Sequence, residues 1–407
     1  MFYSGLILFT LMLSHLPTNA SSDPPLSDIR RAETILGLCA CPTGHPGLYE
    51  RLVDVCQPFN GWDLLPRLAE VNGLGPLLYT HLKAAGVVPP LACERELKGL
   101  YVRHRHANAV REQALQEILE AYASVGINTL VLKGAALAYL VYPQPGLRPM
   151  RDTDLLVSES DVQSAQHILA ELGYDISPDP GNPISHQHHH LDIARRYDQG
   201  MRVSIEVHFR LFPMTIYYPS IFFEDLIDEA IPFRMGGMTA YTLGYEAMLW
   251  HVYRHACGPP LLQTPLRFMH LADMIGLIDK FHDPMDWQKI RRRYPQVINI
   301  LPLLHCLTPW KPWLSKRFSL NGFTCQQGIG RNYQGWPRRR SLPDGNPWKL
   351  LKETFFPGEW WVRLFYGGRG RSSWFWHRWL RHPLHLLEWL THDIVEDHKR
   401  HPKKKEA

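Results

Sequence analysis

The sequence predicts an α+β fold in which a small sheet is set between two helical segments. Three observations carry that expectation. Apolar residues recur at helical spacing before about residue 125 and again beyond Tyr241. Three β-rich runs, Ile127–Leu132, Met150–Val157 and Val203–Leu211, are confined to the stretch between. The 407 residues are 45% hydrophobic and 20% charged, which suits two or three globular domains and excludes a disordered or fibrous chain.

The elements follow in order. Ser27 is placed to cap a helix starting at Asp28, with Ile35, Leu36 and Leu38 on its apolar face. Trp62–Ala69 and Leu77–Leu82 read as short helices broken by Gly and Pro. A longer helix is expected from about Glu94 to Val125, and Gly126 stops it. The strand at Ile127–Leu132 ends at Lys133-Gly134, where a helix over Ala135–Val141 begins. A helix at Gln163–Gly173 follows the second strand. A loop at Asp175–Asp192, rich in Pro, Gly and His, leads toward the third. Gly244–Ala256, Leu266–Lys280 and the stretch from Trp287 to Tyr294 are helical. Residues 320–348 read as a loop. Trp360, Trp361, Trp374, Trp376, Trp379 and Trp389 are expected in the core of a helical pair, with neighbouring arginines snorkelling. The chain thus divides into an apolar leader or extended start (1–22), a helical segment (23–110), the sheet-bearing unit (111–235), a helical domain (236–319) and a Trp-rich end with a basic tail (320–407).

Charge and cysteine usage bound the setting. The net charge is +5, and Lys399–Ala407 alone contributes +4 of it, so there is no strong DNA-binding signal in the body. Seven scattered cysteines without a CxxC pair argue against a zinc knuckle and for buried free thiols in a cytoplasmic protein. Gly5–Leu13 has the look of a secretory h-region but lacks a basic flank; export is the alternative to the cytoplasm. No run approaches about 18 apolar residues, so stable membrane insertion is not expected. The histidines His186, His188, His189 and His190 cannot all face one ion, and that loop is expected near the mouth of a site.

The chemistry concentrates in the central unit. Asp152 and Asp154 stand at i and i+2 in an apolar strand, so both carboxylates are expected on one face of the sheet. Two ionised carboxylates there repel and are costly to bury, a cost a divalent cation relieves. Their hard oxygens suit Mg²⁺ or Mn²⁺. Glu206, between Ile205 and Val207, adds a third carboxylate if the strands pair, completing a kit for two-metal nucleotidyl transfer. Gly134, between strand and helix, lets phosphates approach backbone N–H groups, while Lys133 and Arg148 offer positive charge. His208 shares the face of Glu206 and is expected in support. The bland alternative is a solvated edge strand whose acids form structural salt bridges.

A strand ending in Lys133-Gly134, then Arg148-x-Met150-x-Asp152-x-Asp154-Leu-Leu-Val157, then Ile205-Glu-Val-His208 resembles the uncharacterised nucleotidyltransferase family of bacteria, a branch of the DNA polymerase β-like nucleotidyltransferase superfamily. Glu246, His251, His255, Arg267, Asp273, Asp286 and Trp287 extend the resemblance, which spans roughly residues 60–310. It implies a polymerase β-like palm, a mixed sheet flanked by helices. It also implies that Asp152, Asp154 and Glu206 are metal ligands and that Gly134 lies by the nucleotide phosphates. One departure is Ala135, where most of the superfamily carries a serine that contacts phosphate. The expected activity is metal-dependent transfer of an NMP from an NTP to a hydroxyl acceptor, with release of pyrophosphate. The acceptor is open among a protein, a small molecule, a sugar and an RNA end. The alternative is a catalytically inactive nucleotide- or partner-binding module on the same fold.

Overall fold

Proline sets the grain of the N-terminal helices. α1 (Leu26–Leu38) is followed by α2 (Pro46–Cys56), α3 (Leu65–Val71) and α4 (Gly75–Ala84), and the last three carry proline in their first turn. The missing proline N–H costs nothing there. Ser27 falls inside α1, not at a cap before it. The computed structural model describes residues 26–176, 190–212, 221–256 and 267–320, with 352, 355–358, 362, 365–366 and 370–387 beyond them. The apolar start, His186–His189, the loop at 321–348, Trp360, Trp361, Trp389 and the basic tail lie outside the described residues.

The spine is α5 (Leu91–Ser124), 34 residues long, which ends at Gly126 with φ +82. Its buried face carries Leu115, Ile118, Leu119 and Tyr122 at helical spacing. The Tyr122 hydroxyl donates to the Ala165 carbonyl at 3.0 Å. Above this helix the chain lays down β1 (Leu130–Val131), α6 (Lys133–Leu140), β2 (Thr153–Leu156), α7 (Val162–Glu171), β3 (Ala194–Asp198) and β4 (Met201–His208). The sheet order is β1-β2-β4-β3. β2 and β4 run parallel, and the two outer strands run antiparallel to their neighbours. The result is a small mixed sheet flanked by helices, as expected.

Two hairpins escape the sequence reading. β3 turns into β4 through Gln199 and Gly200, both at positive φ. β5 (Ile231–Met235) turns into β6 (Met238–Thr242) through Gly236-Gly237, also at positive φ. Both are two-residue turns with glycine, the commonest hairpin signal. The Thr242 hydroxyl donates to the Val131 carbonyl and ties β6 to β1.

The helical half comprises α8 (Tyr245–Ala256), α9 (Phe268–Phe281), α10 (Trp287–Arg293), α11 (Pro295–Leu307), α12 (Pro312–Arg317) and, further on, α13 (Gly370–Trp376). The Asp286 carboxylate caps α10 by accepting from the Gln288 and Lys289 amides. Trp374 packs on Val362, Phe365 and Tyr366, but Trp376 and Trp379 are exposed, against the expected tryptophan core. Trp374 and Trp376 are two residues apart, so they point about 200° apart on a helix and only one can face inward. Cys39, Cys41, Cys56 and Cys93 are buried free thiols, whereas Cys306 is disulfide-bonded, a departure from the all-thiol expectation. Among the described residues no helix is long and apolar enough to cross a membrane.

One buried ion pair joins the sheet-bearing part to the helices after it. Arg148, in the turn before β2, donates from Nη2 to Asp273 Oδ2 at 2.7 Å and from Nε to Asp273 Oδ1 at 3.2 Å. The Tyr142 hydroxyl donates to the same carboxylate at 2.7 Å. Both charges are almost fully buried. Removing one partner would strand the other. Asp273→Ala is therefore expected to cost about 3–5 kcal/mol. Tyr142→Phe, which leaves the pair intact, is expected to cost about 1–3 kcal/mol. Urea unfolding of the two variants measures both; equal losses would contradict the central place given to the pair.

Candidate active site

The site is made where β2 and β4 lie side by side. Their register sets Asp154 opposite Glu206 and Leu156 opposite His208. Side chains two apart on one strand share a face, so Glu206 and His208 flank Asp154 together. The His208 Nε2 lies 3.0 Å from Asp154 Oδ1 and 3.5 Å from Glu206 Oε2. Ligand-capable atoms of Asp154, Glu206 and His208 all fall within 4.8 Å of one another. The strands thus bring two of the three expected carboxylates together, and His208 joins them more closely than a supporting role required.

Asp152 is placed differently. β2 begins at Thr153, so Asp152 lies in the turn before the strand and its side chain is open to solvent. The period-two argument for Asp152 and Asp154 therefore does not apply. β1 is only two residues long and its partners are Leu155 and Leu156, with one further bond from the Leu132 amide to the Asp154 carbonyl. Upstream of Thr153 no ladder holds the backbone extended. Asp152 still stands close enough to Asp154 and Glu206 to feel them. Partial burial of its carboxyl, reinforced by those two charges, pushes it up to about 6.

Lys133 balances the carboxylates. It sits at the junction of β1 and α6 with φ +44, a left-handed conformation that costs a non-glycine residue strain of order 1–3 kcal/mol. That turn sends its Nζ to 2.7 Å from Asp154 Oδ1. Burial alone would lower the ammonium, but Asp154 and Glu206 outweigh it and raise it. Burial alone would likewise raise Asp154; Lys133 and His208 outweigh it and hold that carboxyl well below the usual range. His208 is raised for the same reason, burial being overcome by its bonds to Asp154 and Glu206. From the helical half, His255 and His270 meet edge to face with ring centroids 5.1 Å apart. Burial, with the Arg148 charge opposed by Asp273, pushes His270 down to about 4, so it forms a neutral aromatic wall at pH 7.

Gly134 and Arg148 meet each other. A Cβ on Gly134 would lie 2.1 Å from Arg148 Nη1 and 2.8 Å from its Cζ. The guanidinium lies against the glycine, with Nη1 donating to the Pro149 carbonyl and the other two nitrogens on Asp273. Arg148 is thus committed to a buried pair, a use that its distance in sequence from Asp273 conceals. Lys133 and Gly134 are where a strand-to-helix phosphate loop would place them.

The donor set fits a divalent cation. Two carboxylates and an imidazole converge, and their excess negative charge now draws a proton onto His208 and an ammonium onto Asp154. Among the described residues this is the one group of acids, histidines and cysteines so placed.

Comparison with known proteins agrees with the family reading. A family model described as uncharacterised nucleotidyltransferase matches residues 59–307. That is more than half of the chain, and the chain belongs to this family. The sequence matches none of the curated proteins. Several solved structures show a distant likeness. The crystal structure of ANT(2″)-Ia in complex with adenylyl-2″-tobramycin is 14% identical, over 41% of this chain and 87% of that one, with a TM-score of 0.29. A solution structure of the antibiotic-resistance factor ANT(2″)-Ia is 13% identical, over 42% and 84%, also with a TM-score of 0.29. An antigenic nucleotidyltransferase-like protein from Paracoccidioides brasiliensis is 14% identical, over 51% and 96%, with a TM-score of 0.32.

Two outcomes follow from this geometry. Gly134→Ala drives a methyl group into a buried guanidinium and is expected to lose about 1–3 kcal/mol in denaturant unfolding. The raised carboxyl of Asp152 has a pH signature. The folded state holds its proton above the ordinary carboxylate pKa, so stability falls as pH rises from about 4 through about 6. Asp152→Asn is therefore expected to stabilise the metal-free protein at pH 7, with the gain vanishing below about pH 4. Thermal midpoints in EDTA across that range would show it; a gain independent of pH would contradict it.

Proposed function

We propose that this member of the uncharacterised nucleotidyltransferase family moves an NMP from an NTP to a hydroxyl acceptor and releases pyrophosphate. The observation that carries the reading is the cross-strand pair Asp154 and Glu206, joined by His208 in one buried cluster beneath Lys133. Asp154 and Glu206 offer oxygens and His208 a nitrogen to a divalent cation, Mg²⁺ or Mn²⁺, and Asp152 adds an oxygen at the mouth. Such an ion, when bound, polarises the α-phosphate and lowers the pKa of the acceptor hydroxyl.

The protein's own groups prepare the site. Lys133 keeps Asp154 ionised, so that a full negative charge is held in place at neutral pH. The parallel ladder fixes the spacing between Asp154 and Glu206 without a mobile loop. Lys133 and the backbone of Gly134 border the place where a strand gives way to a helix N-terminus, a position suited to phosphate. The acceptor is read as an alcohol because the cluster is built to hold a cation that activates oxygen. A cytoplasmic location matches the need for NTP.

Incubation of the purified protein with each α-³²P-labelled NTP, Mg²⁺ or Mn²⁺ and a cell lysate tests this directly. Wild type is expected to label an acceptor. Asp154→Asn is expected to lower transfer by at least about a hundredfold, since it removes a charge the metal site depends on. Transfer that survives both Asp154→Asn and Glu206→Gln would overturn the site. Metal-dependent NTP binding without transfer would point instead to a binding module.

A further inference from the structure

We infer that Arg111 and Arg267 form the seat for the polyphosphate of the nucleotide, the role expected of Arg148. The inference rests on the nucleotidyl-transfer reading and adds to it residues that no motif marks.

Arg148 is unavailable, since Nε, Nη1 and Nη2 already donate to Asp273 and Pro149. Arg111 presents the opposite case. It projects from α5, is 8% exposed, and its Nε and Nη1 find no hydrogen-bond partner among the described residues. A guanidinium does not lose its proton, so a buried one must meet an anion or leave its burial cost uncompensated. Its place in the fold is set by Asn108, one turn earlier on the same helix face, which donates to the Pro145 and Arg148 carbonyls. Arg111 therefore borders the segment that runs from Arg148 to Asp152, and it lies within the field of Asp152.

Arg267 approaches the same carboxylate from another direction. It is the residue before α9, half-buried, and it feels Asp152 together with the like charges of Arg151 and Arg148. Burial and the Arg151 charge both press on its guanidinium, with Asp152 opposing. Asp152 does not neutralise this cluster, for its own carboxyl is lifted by burial and by Asp154 and Glu206. Around Asp152 the site thus divides. Carboxylates gather on the sheet side, where a cation is wanted, and arginines gather on the helix side with charge to spare. A chain of phosphates bound to that cation matches the second half. The planar fork of a guanidinium suits phosphate oxygens.

Titration calorimetry with inorganic tripolyphosphate, in EDTA and then in Mg²⁺, tests the seat without requiring any transfer. Wild type is expected to bind it. Arg111→Met and Arg267→Gln are each expected to weaken binding about tenfold or more, and to raise the KM for NTP more than they lower kcat. Arg111→Lys keeps the charge without the fork and is expected to fall between. Arg267 is half-buried, so its variant reports on binding even if Arg111→Met fails to fold. Tripolyphosphate binding equal in wild type and both variants would overturn the seat, and so would no binding to wild type. The two readings separate cleanly. Transfer with unchanged KM in the variants removes the seat and keeps the enzyme. Arginine-dependent tripolyphosphate binding with no transfer from any NTP keeps the seat and removes the nucleotidyl-transfer reading.

Discussion

The parallel pairing of β2 with β4 is the constraint on which the rest depends. It sets Asp154 beside Glu206 and brings His208 over both. Register in a sheet is strict, because a slip of one residue would turn Glu206 and His208 to the opposite face. The apolar neighbours enforce it. Leu155, Leu156, Val203, Ile205 and Val207 are all buried, so the strands have one arrangement that keeps their core intact. The acidic cluster is thus held by the hydrophobic core around it, and its geometry does not rely on the polar groups alone.

Holding like charges together in that core has a cost, and the fold distributes the compensation. Lys133 supplies an ammonium through a strained backbone conformation, and His208 supplies a donor from the neighbouring strand. Local strain and buried charge are tolerated at functional sites when the surrounding structure over-determines them. Here the surroundings do so through α5 below and the helical half above.

The buried pair of Arg148 and Asp273 fixes those surroundings. Arg148 lies in the turn that delivers Asp152 to the mouth, and Asp273 comes from α9, over a hundred residues later. Gly134 has no side chain because that guanidinium fills the space a Cβ would take. The same three residues that looked like a phosphate loop with a phosphate clamp therefore include a structural fastening. Breaking it would move the site as well as weaken the fold.

Read alone, the sequence determined the fold class, the long helix, the sheet-bearing unit between helices, and the candidate acids with Lys133 and Gly134 beside them. Those features are local: helical and period-two spacing, a glycine stop, and carboxylates in apolar company declare themselves within a few residues. It did not show the hairpin through Gln199-Gly200 or the one through Gly236-Gly237, although the turn glycines were legible. Only the tertiary structure decided the rest. The turn before β2 takes Asp152 out of the strand because β1 is too short to hold it there. Asp273 claims Arg148 across the chain, and His208 enters the acidic cluster through strand pairing. Arg111 sits among the periodic residues of an ordinary helix, and nothing in that spacing marks it. Its unpartnered nitrogens exist only because folding buries them beside Asp152. Spacing along the chain reports which residues share a face; which charges meet across elements is settled by packing.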